Sequence, residues 1–385
     1  MDPIYLDYAA TTPVRAEVRD AMEPFMDERF GNPSSSHRWG RQAQAAIEEA
    51  RGAVAEALGA NRREIFFVRG GTESDNLAIL GRAEATRAAG GTPLVAVSAI
   101  EHKAVLSAAH SLEQFGGRCI VLPVDRNGLL DMSALDAALE EKPCCVSCMW
   151  VNNEVGVIQP MAEIAARCRA AGVALHTDAV QAVGKLPVRL DEVPISILSL
   201  SAHKLYGPKS TGALFVRQGT MLHSRLHGGG QESGLRPGTQ DVPGIVGLAT
   251  AITIGVREQA DFQTRLTGLR DRLLGRLQEL IPTVRVNCEG APRSGHVLHV
   301  GIPDLASEML MISLDMEGLA VSGGSACNSG STSGSHVLSA IYGDDAYSAN
   351  IRFSFGRKTT EDEVDRAAEI TARVVARLQA LVPAG

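Results

Sequence analysis

No stretch of this 385-residue chain approaches the ~18 consecutive apolar residues that a membrane-spanning helix needs. Its beginning, Met1-Asp2-Pro3-Ile4-Tyr5, has neither a basic segment nor an apolar core behind it, so export is not expected and a cytoplasmic location is. Positive charge is not in excess. The net charge of -7 argues against a dedicated nucleic-acid binder, and neither direct nucleic-acid contact nor membrane attachment is expected. Disulfide spacing is missing too: seven cysteines, an odd number in no framework pattern, fit a reducing compartment. Cys144, Cys145 and Cys148 lie in an apolar run over 144–151, and no second ligand pair follows at zinc-finger spacing, so burial in a strand is favoured and no metal is expected. There are no internal repeats, and the only biased segment is a Gly/Ser-rich run over 322–335.

What remains is an ordinary globular composition, 45% hydrophobic and 21% charged, in a chain long enough for two domains and a sizeable core. Ile47, Ala50, Val54 and Leu58 mark one face of a helix that Gly59 is placed to end. Apolar runs at 65–68, 94–97, 119–122, 144–151, 173–176, 195–198 and 213–216 predict strands. Separated by helical patterns, they indicate an α/β domain built on a mainly parallel sheet covered on both faces. After about residue 245 the pattern changes to a long helix over roughly 244–280, strands at 284–286 and 296–300, and helices near 306–316 and 360–381. This is a smaller α+β domain, with a site expected at strand ends between the two.

Chemistry concentrates at the ends of those strands. Lys204 stands in Ser201-Ala202-His203-Lys204, a small polar turn after an apolar run, and Asp178 ends another run in His176-Thr177-Asp178. A lysine so placed can be a solvated loop residue. With the aspartate it can instead hold pyridoxal phosphate as a Schiff base, the carboxylate keeping the pyridine nitrogen protonated. Gly70-Gly71-Thr72 follows a strand and opens a helix, where backbone N–H groups and the helix N-terminus suit a phosphate, although any tight strand-to-helix turn can use glycine. His102 after Glu101 either stacks on a ring and moves protons or caps the next helix. Asn153 and Gln181 are candidates for the ring's phenolic oxygen. The glycine-rich segment 228–239 reads as a polar binding loop or a plain surface loop. Cys327, in a polar Gly/Ser loop, is a candidate nucleophile if its thiolate is stabilised, or a chance surface cysteine.

Taken together these motifs resemble the cysteine desulfurases, a class V aminotransferase family, and within it the NifS/IscS-like group. The matching stretches run in order from Tyr5-Leu6-Asp7 and Thr11-Thr12-Pro13 through Gly31-Asn32-Pro33-Ser34-Ser35, Gly70 to Asn76, Glu101-His102 and Asn152 to Gly156. They continue with His176 to Gln181, Ser201 to Lys204, 228–239, 323–327 and Ile351 to Ser354. The resemblance implies a fold-type I pyridoxal-phosphate-dependent transferase. Its large domain, over 14–248, would carry a mainly parallel seven-stranded sheet; the small α+β domain, formed by 1–13 and 249–385, would carry the Cys327 loop.

By the same resemblance Lys204 carries pyridoxal 5'-phosphate, Asp178 faces the ring nitrogen, and His102 stacks on the ring. Gln181 and Asn153 lie near the ring oxygen. Gly71, Thr72, Ser201 and His203 hold the phosphate, joined by Thr239 from the second subunit of a homodimer. Arg352 clamps the carboxylate of L-cysteine, with Asn32 and Asn153 as further substrate contacts, and Cys327 accepts the sulfur as a persulfide. Lys204 and His102 would move the protons, and alanine would leave. The sulfur would pass to an acceptor protein such as an iron–sulfur scaffold, where Cys327 could contact an acceptor-bound cluster; a nitrogen-fixation maturation protein or a tRNA-thiolation relay are the other acceptors considered.

Val68-Arg69 and Lys209-Ser210-Thr211-Gly212 depart from the family's usual pairs, and Gly385 ends the chain without the longer tail by which housekeeping members engage a scaffold. A related aminotransferase or selenocysteine lyase would keep Lys204 and Asp178 with less need of Cys327. A non-catalytic scaffold would not need the set Lys204, His102, Arg352 and Cys327 at all.

Overall fold

The computed structural model describes residues 2–303, 305–323, 334–343 and 349–381; Cys327 lies outside them. The first strand, β1 (Ile4–Tyr5), precedes α1 (Ala16–Met22) and α2 (Arg38–Leu58). Helix α2 ends where the sequence places its stop, because Gly59 takes φ 67, a left-handed conformation open to glycine.

Then come β2 (Ile65–Val68), α3 (Gly71–Ala88), β3 (Leu94–Ser98), α4 (Lys103–Ser111), β4 (Arg118–Leu122), α5 (Met132–Glu140), β5 (Cys145–Ser147), α6 (Met161–Ala170), β6 (Ala174–Asp178), β7 (Ile197–Ser201) and β8 (Gly212–Val216). These strands form one seven-stranded sheet in the order β2-β8-β7-β6-β5-β3-β4. Pairing is parallel from β7 through β6, β5 and β3 to β4; β8 runs antiparallel to both its neighbours. The mainly parallel sheet expected from the apolar runs is what forms.

Two strands differ from their sequence patterns. The run 144–151 gives only three strand residues, because past Ser147 the backbone N–H of Met149 turns aside to the Glu101 carboxyl. The run 195–198 starts late, at Ile197, since the Ile195 carbonyl is taken by the Arg217 side chain.

The remainder is α7 (Val242–Leu280), β9 (Arg285–Val286), β10 (Val297–Ile302), α8 (Ser307–Met316), β11 (Leu319–Ala320), α9 (His336–Tyr342), β12 (Ala349–Ser354) and α10 (Glu361–Gln379). Strands β12, β10 and β9 make an antiparallel sheet, and β1 pairs with β11. One apolar core gathers under the large sheet and includes Leu248 and Ile252 of α7; a second gathers Ile4 and Leu6 with Leu266 to Leu277 of α7 and with β10, β12 and α10. Helix α7 thus threads both cores, and the N-terminal strand belongs to the second. Among the described residues no helix is long and apolar enough to cross a membrane.

The antiparallel turn from β7 to β8 is tight against the first βα turn. A Cβ on Gly212 would stand 2.5 Å from the Leu200 carbonyl oxygen and 2.7 Å from Gly70 Cα, both backbone atoms that cannot swing aside. Gly212→Ala is therefore expected to destabilise the protein by about 1–3 kcal/mol, the usual cost of overpacking. A urea titration checks this; an unchanged midpoint would mean that the two turns are free to separate.

Candidate active site

The C-terminal ends of the parallel strands converge on Lys204, which sits in a short 3₁₀ turn directly after β7. Its amine donates to the carbonyl oxygens of Ala9 and Ala10, at 2.7 and 2.6 Å. The N-terminal segment is stitched to the same turn: Thr12 Oγ1 donates to His203 O and accepts from Tyr206 N. Next door, Gly70 takes φ 115, which a side chain would strain, and so frees the start of the 18-residue α3 of any side-chain cap. A Cβ on Gly71 would meet Val180 Cγ2 at 3.2 Å, and Ser201 lies beside both glycines. His203, its Nδ1 3.1 Å from Thr11 Oγ1, is held neutral: burial and then Lys204 push its pKa down to about 4.

Asp178 closes β6 and is buried, with Oδ1 accepting from Val180 N at 2.9 Å. Burial pushes its carboxyl up, opposed by His102, the Val180 N–H and Lys204. His102 caps α4, its Nδ1 accepting from Ala104 N, so the capping role is real and leaves the other ring nitrogen for chemistry. Its pKa is lowered, chiefly by burial, against the pull of Asp178.

Behind Asp178 lies a fully buried polar layer. Burial, reinforced by Asp178, pushes Glu101 from its ordinary 4.5 up to about 8. Ser147 Oγ lies 3.3 Å from Glu101 Oε2 and 2.8 Å from His176 Nδ1, and His176 Nε2 is 2.9 Å from Ser199 Oγ. Protonated Glu101 can then donate to Ser147, which donates to a His176 that burial keeps neutral.

Arg352 comes from β12 and is almost fully buried. It donates to Asp7 Oδ1 at 2.7 Å and to the Asn153 carbonyl at 2.9 Å, while its Nε finds no partner among the described residues. Gln181 donates to Ala9 O at 3.0 Å.

The chain matches known proteins over nearly its whole length. The model of the family described as aminotransferase class-V covers residues 4–367. Cysteine desulfurase IscS of Dictyoglomus turgidum is 43% identical over 381 residues, 99% of this chain and 96% of that protein. Its Escherichia coli counterpart is 44% identical over 387 residues, 99% of this chain and 95% of that protein. The chain belongs to the class V aminotransferases, as one of their cysteine desulfurases.

A solved NifS-like protein superimposes with a TM-score of 0.90 at 34% identity, covering 98% of this chain and all of that one. The fold is accordingly fold-type I, as expected from the sequence.

The candidate site groups Gly71, Ser201, His203, Lys204, Asp178, His102, Gln181, Asn153 and Arg352 around the strand ends. Three other expected residues have exposed side chains. Asn32 is exposed and its side-chain oxygen accepts from Ser34 N. Thr72 and Thr239 are exposed as well, Thr239 in a loop pinned by the buried Glu232 carboxylate on Arg51. Arg69, read as an extra cation near the phosphate turn, has its guanidinium 3.6 Å from Asp241.

Sequence reasoning missed Asp7 as the partner of Arg352, the side chain of Glu101, and the buried Lys185 and His296. Lys185, a lone charge within Ala182-Val183-Gly184-Lys185-Leu186-Pro187-Val188, was the available signal. Among the described residues no group of His, Cys, Asp or Glu is arranged to hold a metal.

The donor set fits a phosphorylated pyridine aldehyde. An uncapped helix start with Ser201 suits the phosphate, the Lys204 amine suits the aldehyde, and a protonated ring nitrogen would supply the cation that buried Asp178 calls for.

The Glu101 shift has a definite sign. A carboxyl raised in the folded state contributes stability that is complete below its ordinary value and is lost as pH rises through the raised one. Between pH 4.5 and about 8 the protein should therefore lose stability relative to Glu101→Gln, which cannot ionise. Paired unfolding curves across that window check this; parallel pH profiles would show that Glu101 ionises freely.

Proposed function

We propose that this cysteine desulfurase converts L-cysteine to L-alanine with pyridoxal phosphate held on Lys204, passing the sulfur to Cys327 and on to an acceptor protein. The convergence of the Lys204 amine, the Asp178 carboxyl and the α3 N-terminus at one set of strand ends carries this reading. When bound, the cofactor supplies an electron sink for the pair left on the substrate's α-carbon.

The protein's own groups do the rest. Arg352, held by Asp7 and by the Asn153 carbonyl, presents its guanidinium to the substrate carboxylate, a geometry that a lysine cannot reproduce. Lys204, once its amine is free, takes the α-proton, with the Ala9 and Ala10 carbonyls ready to receive its N–H groups. His102, kept neutral by burial, accepts and returns a proton beside Asp178. The Cys327 thiolate forms a bond to the substrate sulfur as the carbon–sulfur bond breaks. The electron pair of that bond stays with carbon and is later protonated, so alanine leaves and a persulfide remains.

The same reading takes the protein as a cytoplasmic homodimer in which the partner subunit's Thr239 completes the phosphate site, and an iron–sulfur scaffold as the acceptor. The two apolar cores support two domains close to the expected 14–248 and 1–13 with 249–385, the first core reaching on to Ile252.

Incubating the purified, cofactor-loaded protein with L-cysteine should yield alanine and sulfide together. Cys327→Ala should form neither product while keeping the visible absorbance. Alanine formation by Cys327→Ala at the wild-type rate would remove Cys327 from the chemistry. Arg352→Lys should raise KM for cysteine by about tenfold or more, the loss expected of a bidentate carboxylate contact.

A further inference from the structure

Gln181 is held from three sides by groups that no role has yet absorbed. Its Oε1 lies 3.3 Å from Lys185 Nζ and 3.0 Å from His296 Nε2, and its Nε2 donates to the Ala9 carbonyl. Lys185 and Gln181 belong to the turn after β6, His296 immediately precedes β10, and Ala9 follows β1, so both cores contribute to this node. Lys185 is 5% exposed and His296 1%.

An amide carries one acceptor oxygen and one donor nitrogen, so the partners decide which way it points. Rotated by half a turn, Gln181 would set its NH2 group against two donors and its oxygen against a carbonyl. The bond to the Ala9 carbonyl would be lost, and with it those to a charged Lys185 and to a His296 that carries hydrogen on Nε2. Lys185 enforces this orientation in its charged form, which can only donate. The orientation fixes the tautomer of His296: Nε2 must carry hydrogen, and Nδ1 then accepts from Ser294 Oγ at 2.5 Å.

We propose that Lys185 and His296 are positioning residues for the desulfurase site, locking the Gln181 amide with its NH2 group turned to the Lys204 side, where it donates to the phenolic oxygen of the bound cofactor. This rests on the reading that Lys204 carries pyridoxal phosphate. The Ala9 carbonyl accepts from both Gln181 and Lys204, so the amide and the catalytic amine share one support. Lys185 also acts by charge. The titratable groups within its reach are Lys204, His203 and His296, with Arg352 beyond His296. Burial, then Lys204, pushes the Lys185 pKa down to about 7, so part of its positive charge persists at neutral pH beside the catalytic amine.

The readout is the pH titration of the visible absorbance of the cofactor-loaded protein. A fixed donor on the ring oxygen and a nearby amine both disfavour protonation at the Lys204 nitrogen. Lys185→Met removes the amine and one of the hydrogen bonds that fix the donor, and should move the midpoint upward by about one pH unit, roughly tenfold in proton affinity. His296→Leu should move it in the same direction, while His296→Gln, which keeps an N–H donor, should stay near wild type.

A purely structural role would lower the unfolding temperature or weaken cofactor retention and leave the midpoint where it was. Midpoints of Lys185→Met and His296→Leu that coincide with wild type overturn the proposal; if one variant fails to fold, the other decides. Lys204→Ala separates this from failure of the underlying reading. A wild-type visible band that survives in Lys204→Ala overturns the cofactor assignment and the proposal with it, whereas a band lost in Lys204→Ala with unmoved midpoints overturns the proposal alone.

Discussion

The ion pair between Asp7 and Arg352 is the constraint on which the site depends. Arg352 arrives from the antiparallel sheet and is buried; without Asp7 its charge would stand uncompensated, a situation that typically costs about 3–5 kcal/mol. The pair fixes the N-terminal segment, and that segment places nearly everything else. Ala9 and Ala10 turn their carbonyls to Lys204, Ala9 also receives Gln181, and Thr12 ties down the turn that bears Lys204. A short stretch of chain from one core thereby sets the geometry of candidate site residues supplied by the other.

The large sheet contributes a second kind of order. Glu101, Ser147, His176 and Ser199 fill the space behind Asp178 with side chains that hydrogen-bond one another, and two of them are kept neutral by burial. A polar layer of this sort is stiff, because each member loses its partner if another moves. It also surrounds Asp178 with groups that carry little charge at neutral pH, so the negative charge of Asp178 is directed toward the site.

Much of this was legible from residues alone. Near-continuous apolar runs separated by helical patterns can form little other than a parallel sheet, and polar residues at the ends of such strands must converge. Lys204, Asp178, Gly71 and His102 were readable for that reason. The ladder's limits were not: Cys148 to Val151 are as apolar as a strand, yet Met149 N turns from the ladder to the Glu101 carboxyl. The partners of buried polar groups were equally hidden. Asp7 and Arg352 are 345 residues apart, and Lys185 and His296 meet only because two cores close on Gln181. Such pairings follow from tertiary packing, which no local pattern encodes. Cys327 lies outside the described residues, so its part rests on its motif.

Helix α7 runs unbroken for 39 residues, a rod of about 58 Å at the usual rise, with its first half in one core and its second half in the other. Two bodies joined by a flexible tether can swivel about it, whereas two bodies skewered on one rod can only bend it or twist together. Any opening of the cleft between the cores must then be a small elastic flexure that returns to the same rest position. Arg352 and Lys204 would find their spacing again after each such flexure without searching for it.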